Sequence, residues 1–193
     1  MKKNLGAMPA LYPMPVMMVA AYDESGTVNV MNAAWGTICD MDKIALILDE
    51  GHKTTQNIRA TGAFTVALAD RDHMAEADFF GIASGKKMPD KFAKSGMTAI
   101  KSAFVNAPVI NEFLVTMECE LADVVNTEHL YAIVGKIVNV VADEKVLDEK
   151  GKVDVTKLNA LMFDQFRSGY YTTGEQAGKA WNAGKDLMKK ASE

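Results

Sequence analysis

The sequence predicts a mainly β fold with peripheral helices, built around a β-barrel core. Three observations predict it. Short apolar runs of strand length recur along the chain and are cut by Gly, Asp and Pro clusters. Val115, Met117, Cys119 and Leu121 alternate with Thr116, Glu118 and Glu120, the period of a half-buried strand. Helical spacing is confined to a few short segments and one stretch near the C-terminus.

Taken in order, the run Val16–Ala21 reads as a strand, and the cluster Asp23-Glu24-Ser25-Gly26 after it reads as a tight turn. Thr27 to Met31 resumes the strand pattern, so the pair is expected to form a hairpin. The small and polar segment from Asn32 to Thr37 is expected to be a loop. Lys43 to Leu48 reads as a strand, residues 54–61 as a brief helix stopped by Gly62, and Ala63 to Ala69 as another strand. From Asp70 to Ile82 the period changes, with Met74, Ala77 and Gly81 on one helical face. A basic loop from Ala83 then leads into one helical turn at Phe92. Pro108 separates a weak strand near Ile100 from the alternating block at 115–121. His129 to Val141 is β-rich, and Gly135 inside it marks a bulge or a close backbone approach. Ala177, Trp181, Gly184 and Met188 predict an amphipathic C-terminal helix over 174–190.

Composition bounds the function. The 193 residues suit a single domain, 1–193, with a proper core. The net charge of -4 gives no global attraction for nucleic acid or anionic lipid. Cys39 and Cys119 lack CxxC spacing, and packing or a single disulfide both fit them. No His, Cys or carboxylate spacing suggests a metal site. The N-terminal lysines are followed by prolines rather than a long apolar run, so neither a leader nor a membrane span is expected, and the cytoplasm is the default location.

The candidate site residues fall into two groups. Lys53-Thr54-Thr55 open a helix, where backbone N–H groups lack intrahelical partners and the dipole favours negative charge. A phosphate site and a plain helix cap both fit this trio. Asn29, Asn32, Ala33, Ala34, Trp35, Gly36 and Thr37 combine amide donors and acceptors, small residues and an aromatic ring, the parts of a wall for a planar heterocycle. Trp35 also suits a core or an interface. Among the basic residues, Lys86 and Lys87 read as solvated surface, whereas Phe92 is placed to aim Lys91. His129 stands at a strand start, where a histidine can bond a ligand. Phe163, Phe166, Tyr170 and Tyr171 form an aromatic cluster that fits a core, a dimer interface or a ligand platform. Dinucleotide and P-loop fingerprints are missing, as are hydrolytic motifs, and no catalytic residue is assigned.

In their order and spacing, several of these segments look familiar. They are Pro13 to Val16, Gly26-x-x-Asn29, Asn32-Ala33-Ala34-Trp35, Lys53-Thr54-Thr55-x-Asn57-Ile58, Thr61-Gly62-x-Phe64, Ser84-Gly85 ahead of Asp90-Lys91-Phe92, Ala107-Pro108, Glu118-Cys119, and His129 leading to Gly135. The chain resembles the flavin reductase-like family of FMN-binding split-barrel proteins, in particular its flavoredoxin-type members. The resemblance implies a six-stranded FMN-binding split β-barrel that forms a homodimer, with FMN held noncovalently. It implies that Asn32 to Thr37 line the isoalloxazine and that Lys53, Thr54 and Thr55 take the phosphate. Asn29, Trp35, Lys91 and His129 would complete the pocket, with Phe163 reaching in from the dimer partner. The implied activity is that of an NAD(P)H-dependent flavin reductase using NADH or NADPH. Two alternatives are an electron carrier with tightly bound FMN and a protein redox partner, and a flavin-free binding module. The chain departs from the family pattern at Asp40-Met41-Asp42-Lys43, where relatives often carry proline, and at Thr127-Glu128, where they often carry Gly-Asp.

Overall fold

The computed structural model describes residues 1–183 and 185. Strand β1 (Met14–Pro15) leads into β2 (Met17–Tyr22), which turns into β3 (Val28–Ala33). Asp23 builds that turn, its Oδ1 accepting the backbone N–H groups of Ser25 and Thr27. A second hairpin, β4 (Gly36–Asp40) and β5 (Lys43–Ile47), precedes helix α1 (Lys53–Thr61). Gly62 ends α1 in the left-handed conformation, φ 72°, and its N–H bonds back to Ile58 O at 2.8 Å. Then come β6 (Ala63–Leu68), α2 (Met74–Ile82), α3 (Lys91–Ser95), β7 (Ala99–Lys101) and β8 (Pro108–Ile110). The long hairpin β9 (Val115–Asn126) and β10 (Tyr131–Ala142) follows. A 3-10 turn (Glu144–Val146), α4 (Val155–Leu158), β11 (Leu161–Asp164) and β12 (Gly169–Thr172) complete the regular structure.

Seven strands form one antiparallel sheet in the order β3-β2-β6-β9-β10-β5-β4. Its two edges, β3 and β4, are adjacent in the chain and joined only by Ala34 and Trp35. Three Cα–Cα steps from Ala33 to Gly36 reach at most about 11 Å. The sheet must therefore curl until its edges nearly meet at this end. Side-chain packing shows the same approach: a Cβ on Gly36 would lie 2.8 Å from Met17 Cε, which belongs to β2 near the opposite edge. The edges are not hydrogen-bonded into closure, so the barrel is split. A small sheet, β1-β11-β12, packs beside the split, with Met14 opposite Phe163.

The core explains the unbroken apolar run at 16–21. Met17, Val19 and Ala21 point into the barrel, with Ile44, Leu46, Phe64, Val66 and Ile133. Val16, Met18 and Ala20 point outward and are covered by Ala77 and Phe80 of α2, by Met97, and by Ile110 and Phe113. A strand buried on both faces loses the polar alternation. Full burial of each large side chain contributes roughly 1.5–3 kcal/mol.

Several expectations change. The segment 32–37 is not one loop: Asn32 and Ala33 finish β3, and Gly36 and Thr37 begin β4, which adds an edge strand to the expected six. Thr116 and Glu118 are buried rather than solvated; Glu118 lies opposite Thr65 of β6, whose hydroxyl donates to Pro108 O of β8, and accepts a hydrogen bond from Asn139 of β10. The helix expected from Asp70 starts at Met74. Asp70 takes the backbone N–H groups of Asp72 and His73 on its carboxylate and so turns the chain into α2. Over the expected C-terminal helix, residues 173–179 have no regular structure and 180–183 form a turn; apart from Lys185, the remainder lies outside the described residues. Both cysteines are free, Cys39 exposed and Cys119 buried. Burial, reinforced by the neighbouring Glu118, pushes the Cys119 thiol up to about 12, so it is an inert core group. Among the described residues no helix is long and apolar enough to cross a membrane.

Gly135 marks a close backbone approach, one of the two roles expected from the sequence; the bulge beside it lies on β9, where Ala122 is the extra residue between Asp123, opposite Val134, and Leu121, opposite Gly135. A Cβ there would run into the ring of Phe64 and lie 3.2 Å from Cys119 Cβ. Gly135→Ala is therefore expected to destabilise the fold by about 1–3 kcal/mol, read as a lower urea midpoint at unchanged m-value.

Candidate functional site

Three depressions run in series along the split. The first, of 290 Å³, lies between the start of α1, β3, the last residues of α2 and the segment 83–86 that follows it. The second, of 210 Å³, is lined by Val16, Asn32, Ala34, Gly81, Phe163 and Tyr170. It shares Asn32 and Gly81 with the first. The third, of 460 Å³, lies between the N-terminal segment and the Ala34–Thr37 stretch, and shares Ala34 with the second.

Charge marks the first depression. Lys53, Lys86, Lys91 and His52 border it, and no carboxylate does. In a chain of net charge -4 the three lysines are a local concentration of positive charge. The N-terminus of α1 adds to it. His52 occupies the cap position but makes no side-chain cap bond, and no acidic residue sits in the first turn. The first backbone N–H groups and the helix dipole are thus left for an outside anion. Thr54 is held in place by Asn29, whose Nδ2 donates to Thr54 Oγ1. The hydroxyl hydrogen of Thr54 remains available to donate. Asn29 Oδ1 also lies where a Cβ of Gly85 would be, so only glycine lets the 84–86 loop close over this wall.

Lys91 is 2% exposed. Its Nζ donates to Ala83 O at 2.8 Å and to Phe80 O at 3.4 Å, capping the carbonyl end of α2, and lies 5.9 Å from the centroid of the Phe80 ring. Burial pulls its pKa down to about 8. The lysine expected to be aimed by Phe92 is thus held by α2 carbonyls at the wall of the cationic depression.

The middle depression is organised by Asn32 and Tyr170. Asn32 Nδ2 donates to Ala77 O at 3.0 Å, fixing β3 against α2. The Tyr170 hydroxyl donates to Asp78 Oδ1 at 2.9 Å. Burial and then this carboxylate push the phenol up to about 12, so it stays a neutral donor.

The sequence-derived candidates are thus distributed unevenly. Asn29, Asn32, Lys53, Thr54 and Lys91 meet at the cationic depression. Ala34, Trp35, Gly36 and Thr37 border the third depression, and Trp35 is 53% exposed. Gly36 is required by packing against Met17, Ala45 and Leu46, rather than by approach of a ligand. Phe163 lines the middle depression from its own chain, because the β1–β11 pairing carries it to the split. Three candidates are not brought to these walls. Ala33 faces the barrel core. Thr55 is fully buried, its hydroxyl without a partner. His129 stands in the exposed turn between β9 and β10, 3.8 Å from Glu128. The structure adds Lys86, which the sequence reading left as solvated surface, together with Ser84, Gly81 and Tyr170. The Ser84-Gly85 pair was the available signal for that loop. Among the described residues no cluster of three His, Cys, Asp or Glu side chains could hold a metal ion.

Comparison with known proteins agrees with this layout. Residues 8–172 match the family described as flavin reductase like domain. The fold superposes on the flavoredoxin of Desulfovibrio vulgaris (Miyazaki F) with a TM-score of 0.90 and 35% identity, covering 95% of this chain and 100% of that one. A flavoredoxin from Methanosarcina acetivorans gives a TM-score of 0.86 at 26% identity, covering 97% and 98%. An uncharacterized Aeropyrum pernix protein is 30% identical over 117 residues, which is 60% of this chain but only 44% of that protein.

The buried lysine gives a pH signature. Its unfolded value is near 10.5 and its folded value about 8, so between these the unfolded chain binds more protons and stability rises with pH. Relative to Lys91→Met, the wild type is expected to gain up to about 3 kcal/mol between pH 7 and pH 10.5 in urea unfolding. Parallel pH profiles for the two proteins would refute this placement.

Proposed function

The chain belongs to the flavin reductase-like family, and we propose that within it this protein is an FMN-binding oxidoreductase. The observation that carries the reading is the partition of charge along the split, cationic at one end and uncharged at the other. FMN has the matching shape: a dianionic phosphate, a polyol and a flat ring system. Lys53, Lys86 and Lys91, the open N-terminus of α1 and the Thr54 hydroxyl would hold the phosphate. Asn32 and Gly81 lie where the polyol would pass. The ring would lie along Asn32 and Ala34 toward Trp35 and Thr37, against Phe163 and Tyr170. When bound, FMN supplies the electron-accepting and electron-donating chemistry. The protein's part is to bind and orient. Asn32 presents its amide to the middle depression, where a reduced, more negative ring gains from a nearby donor.

An NADH- or NADPH-dependent flavin reductase and an electron carrier served by a protein partner both fit this chemistry. The carrier reading is favoured by one observation: the wall beyond Ala34 has no cation to meet a dinucleotide's pyrophosphate. Similarity to two flavoredoxins points the same way. Homodimer formation is supported by Trp35, Ile38 and Met41, which leave apolar surface exposed along the edge strand β4.

Lys53→Ala and Lys86→Ala are each expected to weaken FMN binding about tenfold to a hundredfold, as lost charge-assisted hydrogen bonds do. Quenching of flavin fluorescence on titration measures this, and unchanged affinity in both variants would remove the phosphate assignment. The electron source is read separately by bleaching of the bound flavin's visible absorbance. The carrier reading expects slow bleaching with NADH and NADPH and fast bleaching with a reduced protein donor.

A further inference from the structure

We propose that two adjoining depressions away from the split bind a free basic α-amino acid of the arginine type, held at its carboxylate, its ammonium and its side-chain cation. The first, of 540 Å³, lies between the end of α1, the loop 102–106 and β9. The second, of 650 Å³, lies between the β2–β3 turn, the end of α1 and Lys101 of β7. They share Thr61, Lys101 and Asn106, and neither shares a lining residue with the three depressions of the split. The site therefore stands independently of the flavin reading.

The carboxylate end is read from Ser102 and Lys101. Ser102 is only 7% exposed, and its Oγ accepts the backbone N–H groups of Phe104 and Val105, each at 2.9 Å. Its own N–H bonds Ala107 O at 3.0 Å, so the loop is held at both ends. With the oxygen occupied by two donors, the hydroxyl hydrogen points away from them, and no acceptor among the described residues takes it. Ser102 lines the first depression beside the Lys101 ammonium and the Asn106 amide. A buried donor without an acceptor, next to a cation, suits a carboxylate.

The two cationic groups are read from the carboxylates. Glu120 lines the same depression as Lys101, yet the two form no ion pair, and neither pairs with another side chain among the described residues. Lys136 stands opposite Glu120 in the β9–β10 ladder, again without an ion pair. An α-amino acid carries its ammonium one carbon away from its carboxylate, so it can meet Glu120 and Lys101 together. In the second depression Asp23 is committed to its own turn, whereas Glu24 makes no ion pair. Ala60 and Thr61 line the same wall at the carbonyl end of α1, and that end of a helix favours positive charge. Lys101 thus stands against two uncommitted carboxylates, and a ligand with one negative and two positive groups balances them. Ala63 and Val105 supply an apolar floor for its alkyl stem, and the exposed Phe104 ring a rim.

L-Arginine tests the inference, titrated into the full chain with and without FMN and followed by backbone amide chemical shifts. It is expected to saturate one site per chain with a Kd on the order of a millimolar, as suits a ligand of this size on an open site. The shifts should move at Gly26, Gly62 and residues 102–106. L-Citrulline lacks the side-chain charge, agmatine the carboxylate and N-acetyl-L-arginine the ammonium, and each is expected to bind about tenfold more weakly. Two variants assign the ends. Glu24→Gln should weaken arginine about tenfold and leave citrulline unchanged, and Lys101→Gln should weaken arginine about tenfold and leave agmatine unchanged. Both residues are exposed, so urea midpoints and FMN affinity should stay at the wild-type values. Absence of saturable shifts, equal binding of arginine and citrulline, or unaltered arginine affinity in both variants would each overturn the inference. If the chain takes up no FMN but arginine binds with this pattern, the site stands and the flavin reading falls.

Discussion

The link of Ala34 and Trp35 is the constraint from which the site follows. It joins the two edges of a seven-stranded sheet, so the sheet has to curl, and its edges meet without pairing. The unpaired seam is the split, and all three depressions lie along it. Gly36 completes the arrangement, because a side chain there would strike Met17, Ala45 and Leu46 and push the edges apart. The backbone N–H of Ile47 bonds the Trp35 carbonyl at 2.8 Å, so the link is held on the β5 side as well.

The second organising feature is the separation of charge along the seam. Electrostatic attraction for an anion is assembled from three lysines on α1, α3 and the 84–86 loop and from the uncapped end of α1. Lys91 shows the cost of this arrangement. Its ammonium is removed from water and partly compensated by the α2 carbonyls, and its pKa falls accordingly. A bound anion would raise that pKa again, so ligand binding and protonation of Lys91 support each other. The opposite end of the seam is lined by no charged side chain, which suits an uncharged ring.

Much of the fold was legible because its signals are local. The Asp23–Gly26 turn, the Gly62 stop and the helix at 54–61 all depend on the conformational preferences of a few neighbouring residues. Local pattern failed where burial is set by remote segments. Thr116 and Glu118 alternate like solvent-facing residues, yet both are buried, Glu118 opposite Thr65 of β6 and bonded to Asn139 of β10. The polar, small-residue character of 32–37 suggested a loop, but Gly36 and Thr37 gain their strand partners from β5. The short strands β11 and β12 carry little period-2 signal, and they exist through pairing with each other and with β1.

Taken alone, the sequence determined the mainly β architecture, the positions of its turns and helix ends, and the polar identity of Asn29, Asn32, Lys53 and Thr54 as a group worth joining. These are consequences of dihedral preference, period and side-chain chemistry, which act within a few residues. Tertiary structure alone decided which of those groups share a wall. It brought Lys86 and Tyr170 in, left His129 in an exposed turn, turned Ala33 and Thr55 into the interior, and supplied Phe163 from the same chain. The reason is geometric: residues far apart in sequence meet only through the curl of the sheet and the β1–β11 pairing. No local pattern in the chain encodes that closure.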